Sequence, residues 1–396
     1  MLNAFQKDKS FRFLAVILLA FLIFAESNLN AFASVYIPVQ RITLLTILLG
    51  MLLIFMFLKR MIQLDVMIVL PLFFRIPYYL FVSLADMSSR NAFRAHYMII
   101  LIAPIVFLTV FSFVQSDVQD VLINLLKISI IVVAVQVHSS LLQLFVSGHA
   151  LYQIKLSIGI PLGYSNTIAS IVLMQIVLAY VLIKNKFYFI ISITSLLCTI
   201  SKSAFLIFII SLFIILLLDS IKKHKLGIFI RYALVLIVIL FLANRFFSDY
   251  FSEYIKAFNK LLSNNLESIN NGRIYIYSGY VNDIYNKPIF GWGLGKYHSV
   301  DGMAHNLFLQ ALFSGGVVGL FIYYIPIFVI MKRSLKWKNS ENKRALYALV
   351  FVSMAHGFVE NFFFTVPCEF LFWIYLTLLY RKGKNDEQNR LCDSQL

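Results

Sequence analysis

The chain has 396 residues, of which 61% are hydrophobic and only 13% charged, and its formal net charge is +16. A soluble domain carries charges on about a quarter of its residues, so this composition points to an apolar solvent. The positive balance would suggest nucleic acid in a soluble protein, but here the basic residues sit mainly in short loops between apolar runs, where they report topology. Cys198, Cys368 and Cys392 have no CxxC or paired spacing, so neither a disulfide framework nor a thiolate metal site is expected.

Apolar runs reaching roughly 20 residues, enough to cross a bilayer core, recur along the chain. They predict an all-α polytopic membrane protein of about twelve transmembrane helices. The helices are expected near 11–25, 42–58, 63–83, 96–114, 121–147, 164–183, 187–201, 203–219, 229–246, 306–331, 346–362 and 369–380. The first is followed by ESNLNAF rather than a small-residue cleavage site, so it is expected to be retained. The basic segments LKR (58–60), KNK (184–186), KKHK (222–225), KRSLKWKNSENKR (332–344) and RKGK (381–384) fall on one side under this count. That side should be cytoplasmic, with both termini. QSDVQD at 115–120 lacks the expected positive charge. The expected organisation is helices one to nine in 1–246, an external catalytic loop in 247–304, helices ten to twelve in 305–384 and a cytoplasmic tail in 385–396.

Function on a membrane scaffold concentrates in long polar loops, and 247–304 is the longest here. Within it, Ile274, Tyr277, Val281 and Ile284 have helical spacing and Pro288 ends the pattern, predicting a short amphipathic helix along the membrane surface with Arg273 at its start. PIFGWGLG at 288–295 then reads as a turn, since Gly291, Gly293 and Gly295 permit backbone angles that other residues resist. Asn306 is a plausible cap for the next helix, leaving His305 at that helix's positive end. No fixed-period repeat or inverted transporter-like symmetry is apparent.

The glycine turn lacks GxxxxGK[ST] spacing and follows no strand, so it is neither a phosphate loop nor a dinucleotide fingerprint. His298, Asp301 and His305 carry ligand-type side chains, but HxxDxxxH across a loop has no established metal geometry, and no metal is expected. The chain also has no DxD pair of the kind used by many sugar-nucleotide enzymes. Arg273 offers a planar fork for phosphate oxygens at headgroup level, against the plainer reading of lipid anchoring. His305 is placed to act as a general base, against that of a hydrogen-bonded interface histidine. Lys202, in TISKSAF, either meets a phosphate or marks a tight turn. His356 and Glu360 are four apart, on one side of a predicted helix, and are expected to support the site from behind. Asp65, Arg75 and His138 are isolated and read as bundle or interface contacts.

GRIYIYSGYVNDIYNKPIFGWGLG, followed by MAHNLFLQALFSGGVVGL, is similar to the signature region of the O-antigen ligase and polymerase superfamily of bacterial surface-polysaccharide enzymes. In that family an arginine-led helix is followed by a P-x-x-G-x-G turn, then HN-x-x-L and a glycine-containing transmembrane helix. The likeness covers roughly 273–320, and GYSNTIAS (163–170) and TISKSAFLI (199–207) resemble two weaker family elements. The resemblance implies a GT-C-like, inverting, metal-independent glycosyltransferase without cofactor, in a bacterial inner membrane, with its active site on the outer, periplasmic face. It implies that Arg273 holds the pyrophosphate of an undecaprenyl-linked donor and that His305 activates the acceptor hydroxyl. Lys202 stands where the family carries a second arginine, supplying a point charge instead of a fork. Gly291, Gly293 and Asn306 would help bind substrate. Implied partners are undecaprenyl-pyrophosphate-linked donor and acceptor, membrane lipids, a chain-length regulator and a flippase; no nucleic acid is implied. A polymerase extending lipid-linked repeats (O-antigen or capsular) stands first, a ligase transferring glycan to lipid A core second. A lipid-linked oligosaccharide flippase is the competing reading of another class.

Overall fold

The computed structural model describes residues 2–24, 50–51, 53–58, 62–85, 90–114, 117–148, 159–160, 163–183, 185–223, 273–294, 304–337, 340–361 and 364–393. Its helices are α1 (Leu2–Phe24), α2 (Val66–Ala85), α3 (Arg90–Phe113), α4 (Val118–Val146), α5 (Ser165–Leu182), α6 (Lys186–Cys198), α7 (Lys202–Lys223), α8 (Arg273–Asn286), α9 (Leu307–Ser334), α10 (Ser340–Gly357) and α11 (Val366–Asp393). A two-residue antiparallel ladder, β1 (Gly159–Ile160) with β2 (Gly163–Tyr164), leads into α5. The predicted helix at 229–246 and most of that at 42–58 lie outside the described residues, as do Gly295, His298 and Asp301. α11 continues beyond its expected end through Asp393.

Among the described residues, Val66–Ala85, Val118–Leu144, Ser165–Leu182 and Leu307–Ser334 are long and apolar enough to cross a membrane. Large apolar side chains such as Phe57, Leu70, Phe81, Phe321 and Phe328 are exposed, as expected when lipid is the solvent. The chain is a multi-pass membrane protein. α9 packs on α2, α11 on α3, α10 on α5 and α7, and α4 on α1 and α6, around one continuous apolar core.

α9 does not run unbroken. Gly316 has φ 59° and ψ −164°, a conformation open essentially to glycine. In an intact helix the Phe313 and Ser314 carbonyls would accept from Val317 and Val318. Instead they accept from Trp292 N–H at 2.8 Å and Gly293 N–H at 2.9 Å, while Val317 and Val318 donate to Pro288 O at 2.8 Å and Ile289 O at 3.2 Å. Two internal bonds are thus exchanged for four to the 288–294 turn, so these four backbone groups of α9 need no water. Gly291 (φ 70°) and Gly293 (φ 90°) make the turn the sequence predicted. α2 completes the clasp: Tyr78 Oη donates to Gly315 O at 2.5 Å, and Leu294 N–H to Ser83 Oγ at 3.0 Å.

Two other polar clusters fasten the bundle, so Asp65 and Arg75 are not isolated. Arg75 on α2 donates to Glu369 on α11 at 2.9 Å, both side chains fully buried, with its guanidinium 3.8 Å from the centroid of the Tyr323 ring. At the end of α9 opposite His305, Asp65 accepts from Arg333 and, at 2.7 Å, from Tyr380 Oη. Lys384 lies 3.5 Å from the same oxygen, and Arg381 donates to Gln63 and to Val114 O. His138 Nδ1 meets Ala134 O on its own helix at 2.7 Å.

Candidate active site

The starts of α5, α7, α8 and α9 and the ends of α6 and α10 meet at the far end of the bundle from that basic cluster. Ser165 Oγ at the head of α5 donates to Thr199 O, tying α5 to the tight turn between α6 and α7. In that turn Ile200 has φ 54°, an unusual conformation for a β-branched residue. The turn delivers Ser201 Oγ to Asn166 Oδ1 at 3.0 Å, with Lys202 following as the first residue of α7.

Arg273 opens α8, as the sequence predicts. The buried stripe is displaced from the predicted one: Tyr280 is fully buried against Ala304 and Phe313, with Ile276, Ile284 and Trp292 packed around them, whereas Val281 is exposed. Tyrosine wins this position because its ring fills the space while its hydroxyl reaches Gln310 Oε1 at 3.4 Å. Asn306 caps α9 through Oδ1, accepting from Phe308 and Leu309 N–H, and its own N–H donates to Asn361 Oδ1 at 2.9 Å. These contacts hold His305 at φ 47°, a left-handed conformation that costs about 1–3 kcal/mol and recurs at functional sites.

Glu360 joins these parts. Its Oε1 accepts from Arg273 Nη2 at 3.2 Å and Asn166 Nδ2 at 2.5 Å, and its Oε2 meets His305 Nδ1 at 3.1 Å. Arg273 Nη1 donates to Val359 O at 3.0 Å. Burial pushes the Glu360 carboxyl up, but the His305 hydrogen bond and the positive potential of His305, His356 and Arg273 outweigh it and hold the group below the ordinary carboxylate value. An ionised carboxylate only accepts, so His305 donates through Nδ1–H and a neutral ring keeps its lone pair on Nε2. The His305 side chain is 42% exposed and Arg273 26%, against 12% for Glu360. His305 and Arg273 are therefore reachable, and the carboxylate lies behind them.

Of the predicted residues, the structure gathers Arg273, His305 and Glu360 into direct contact, with Asn306 adjoining and Lys202 one residue from Ser201. The sequence places Glu360 on one helix with His356, in a supporting position. α10 instead ends at Gly357 and Glu360 sits in the following turn, although its N–H still reaches His356 O at 2.9 Å; released from the helix, its carboxylate becomes the shared partner. His356 is fully buried, with Nδ1 2.7 Å from Ser170 Oγ. Gly291 and Gly293 are buried against α9 and Ser83, and they serve the docking of the turn. Asn166, Ser201 and Asn361 escape sequence reasoning, because short polar residues next to helix ends look like ordinary caps; their only signal is that Asn166 and Ser201 fall within the two weaker family-like elements.

The family model described as O-antigen ligase matches residues 187–324, from α6 into α9. No curated protein matches the chain. The matched stretch holds Lys202, Arg273 and His305, while Asn166, His356 and Glu360 lie outside it. A glycosyltransferase-like activity of the O-antigen ligase or polymerase type fits this family. The match covers less than half of the 396 residues, and it agrees with the likeness of 273–320 to the signature region of the O-antigen polymerase and ligase superfamily.

Proposed function

We propose that the protein is a polymerase that transfers a growing glycan from undecaprenyl pyrophosphate onto the next lipid-linked repeat unit, on the outer face of a bacterial inner membrane. The observation that carries this reading is the single carboxylate of Glu360 holding Arg273 through one oxygen and His305 through the other. An acceptor hydroxyl gives its proton to His305 Nε2 as its oxygen attacks the anomeric carbon. The bond from that carbon to the phosphate oxygen breaks, and its electron pair leaves with undecaprenyl pyrophosphate. Arg273 uses two of its five N–H donors on Glu360 and Val359, which leaves the others for departing phosphate oxygens. Lys202 adds a point charge from the start of α7. Attack opposite the leaving group inverts the anomeric centre, and Glu360 stabilises the imidazolium until its proton passes to water.

The family description favours a second reading, ligation of the glycan to lipid A core. The two differ in acceptor and share the chemistry. A gel profile of surface glycan from a deletion strain separates them. A single repeat on its terminal acceptor supports the polymerase; bare acceptor with long polymer retained on the lipid carrier supports the ligase. Untransferred repeats on the inner leaflet would overturn both in favour of a flippase. Arg273→Ala and His305→Ala should abolish transfer at normal protein levels, and full activity in His305→Ala removes the proposed base.

A further inference from the structure

From the geometry of the Glu360 carboxylate we infer that Asn166 is a positioning residue for transfer, fixing the carboxylate that orients His305 and Arg273. This rests on the reading above that His305 is the base. A glutamate carboxylate turns readily about its last torsion, yet here the two oxygens have different partners, since Oε2 serves His305 while Oε1 serves Arg273 and Asn166. The Asn166 contact is the shortest of the three, at 2.5 Å. The amide cannot reverse its ends, because the ionised Glu360 carboxylate only accepts and so requires the amino group, which leaves Oδ1 to accept from Ser201 Oγ at 3.0 Å. Its backbone is held too, with Ser170 Oγ donating to Asn166 O at 3.0 Å. An uncharged donor suits this position: it fixes the carboxylate without neutralising the charge that supports His305. The same string, Glu360 to Asn166 to Ser201, ends one residue before Lys202 and so sets the base and the second cation from one point.

Asn166→Asp tests the inference with almost no change of shape. It places a second carboxyl against Glu360, and two adjoining carboxylates cannot both ionise normally. If they share a proton, that proton must leave before His305 is fully supported; if both ionise, the added charge raises the His305 affinity for a proton. Either way the acid limb of the rate profile moves to higher pH, by about one unit or more. Asn166→Ala, which loses one hydrogen bond to a charged group, should lower kcat by about 10- to 100-fold with KM for the donor little changed.

The assay uses the full-length protein in liposomes with undecaprenyl-pyrophosphate-linked repeat extracted from a deletion strain, and runs Arg273→Ala and His305→Ala beside the Asn166 variants. A wild-type pH profile in Asn166→Asp, or an undiminished kcat in Asn166→Ala, overturns the inference. If Arg273→Ala and His305→Ala also transfer normally, the reading of the site itself has failed; if they are inactive, the failure belongs to Asn166 alone.

Discussion

Substituting Gly316 by alanine tests the broken helix directly. A Cβ built there would lie 2.2 Å from Ile289 O and 2.6 Å from Phe290 N, both backbone atoms of the docked turn. The backbone conformation costs a non-glycine residue about 1–3 kcal/mol, and overpacking adds about 1–3 kcal/mol. Taking about 3 kcal/mol, in the lower half of that sum, the docking equilibrium of the turn shifts roughly 100-fold toward release. Release has a route, because α9 can straighten and recover its two internal hydrogen bonds, from Val317 to Phe313 O and from Val318 to Ser314 O. The half-buried Trp292 then loses Phe313 and the Asp283 carbonyl, which accepts from its Nε1 at 2.9 Å. Trp337 and Trp373, the other two tryptophans, are buried elsewhere, so a red shift of intrinsic fluorescence in Gly316→Ala reports on Trp292. The thermal midpoint of the detergent-purified protein should fall together with that shift. Gly50→Ala, whose added Cβ meets nothing within 4 Å, should leave both unchanged. A Gly316→Ala protein with wild-type emission and midpoint would refute the docked-turn account.

Lys202→Arg should retain transfer in a complementation assay, since the charge at the start of α7 is kept; complete loss would mean that this position accepts only a compact ammonium. Arg75→Met leaves the fully buried Glu369 carboxylate without its ion-pair partner and should destabilise the protein by about 3–5 kcal/mol. Arg75→Met with Glu369→Met should recover most of that loss in thermal unfolding, and a double variant no better than the single contradicts this. Because the folded-state affinity of Glu360 for a proton is depressed, its contribution to stability is complete above the ordinary carboxylate value of 4.5 and is lost as pH falls through and below it. The thermal midpoint of the wild type should therefore drop more steeply on acidification in that range than that of Glu360→Gln; parallel slopes would show that the carboxylate contributes nothing through its charge.

Hydropathy by itself determined the membrane class and the position of most described helices, because in lipid every backbone polar group must be satisfied within its own segment and a long apolar run has few other options. It also determined the cap at Asn306, the helix that starts at Arg273 and the turn at Gly291 and Gly293, all signals carried by local conformational preference. Only the tertiary structure decided how these parts combine. The break at Gly316 depends on a partner turn more than twenty residues away, whose backbone groups replace those lost from α9. The buried stripe of α8 runs through Tyr280 and leaves Val281 exposed because a distant glutamine waits for the hydroxyl. Glu360 reads in the sequence as a helical residue that supports the site from behind, and its central place comes from Arg273 and Asn166 on two helices and His305 just before a third converging on it. Local preference is written in neighbouring residues, whereas a shared carboxylate is a property of where helices end in space.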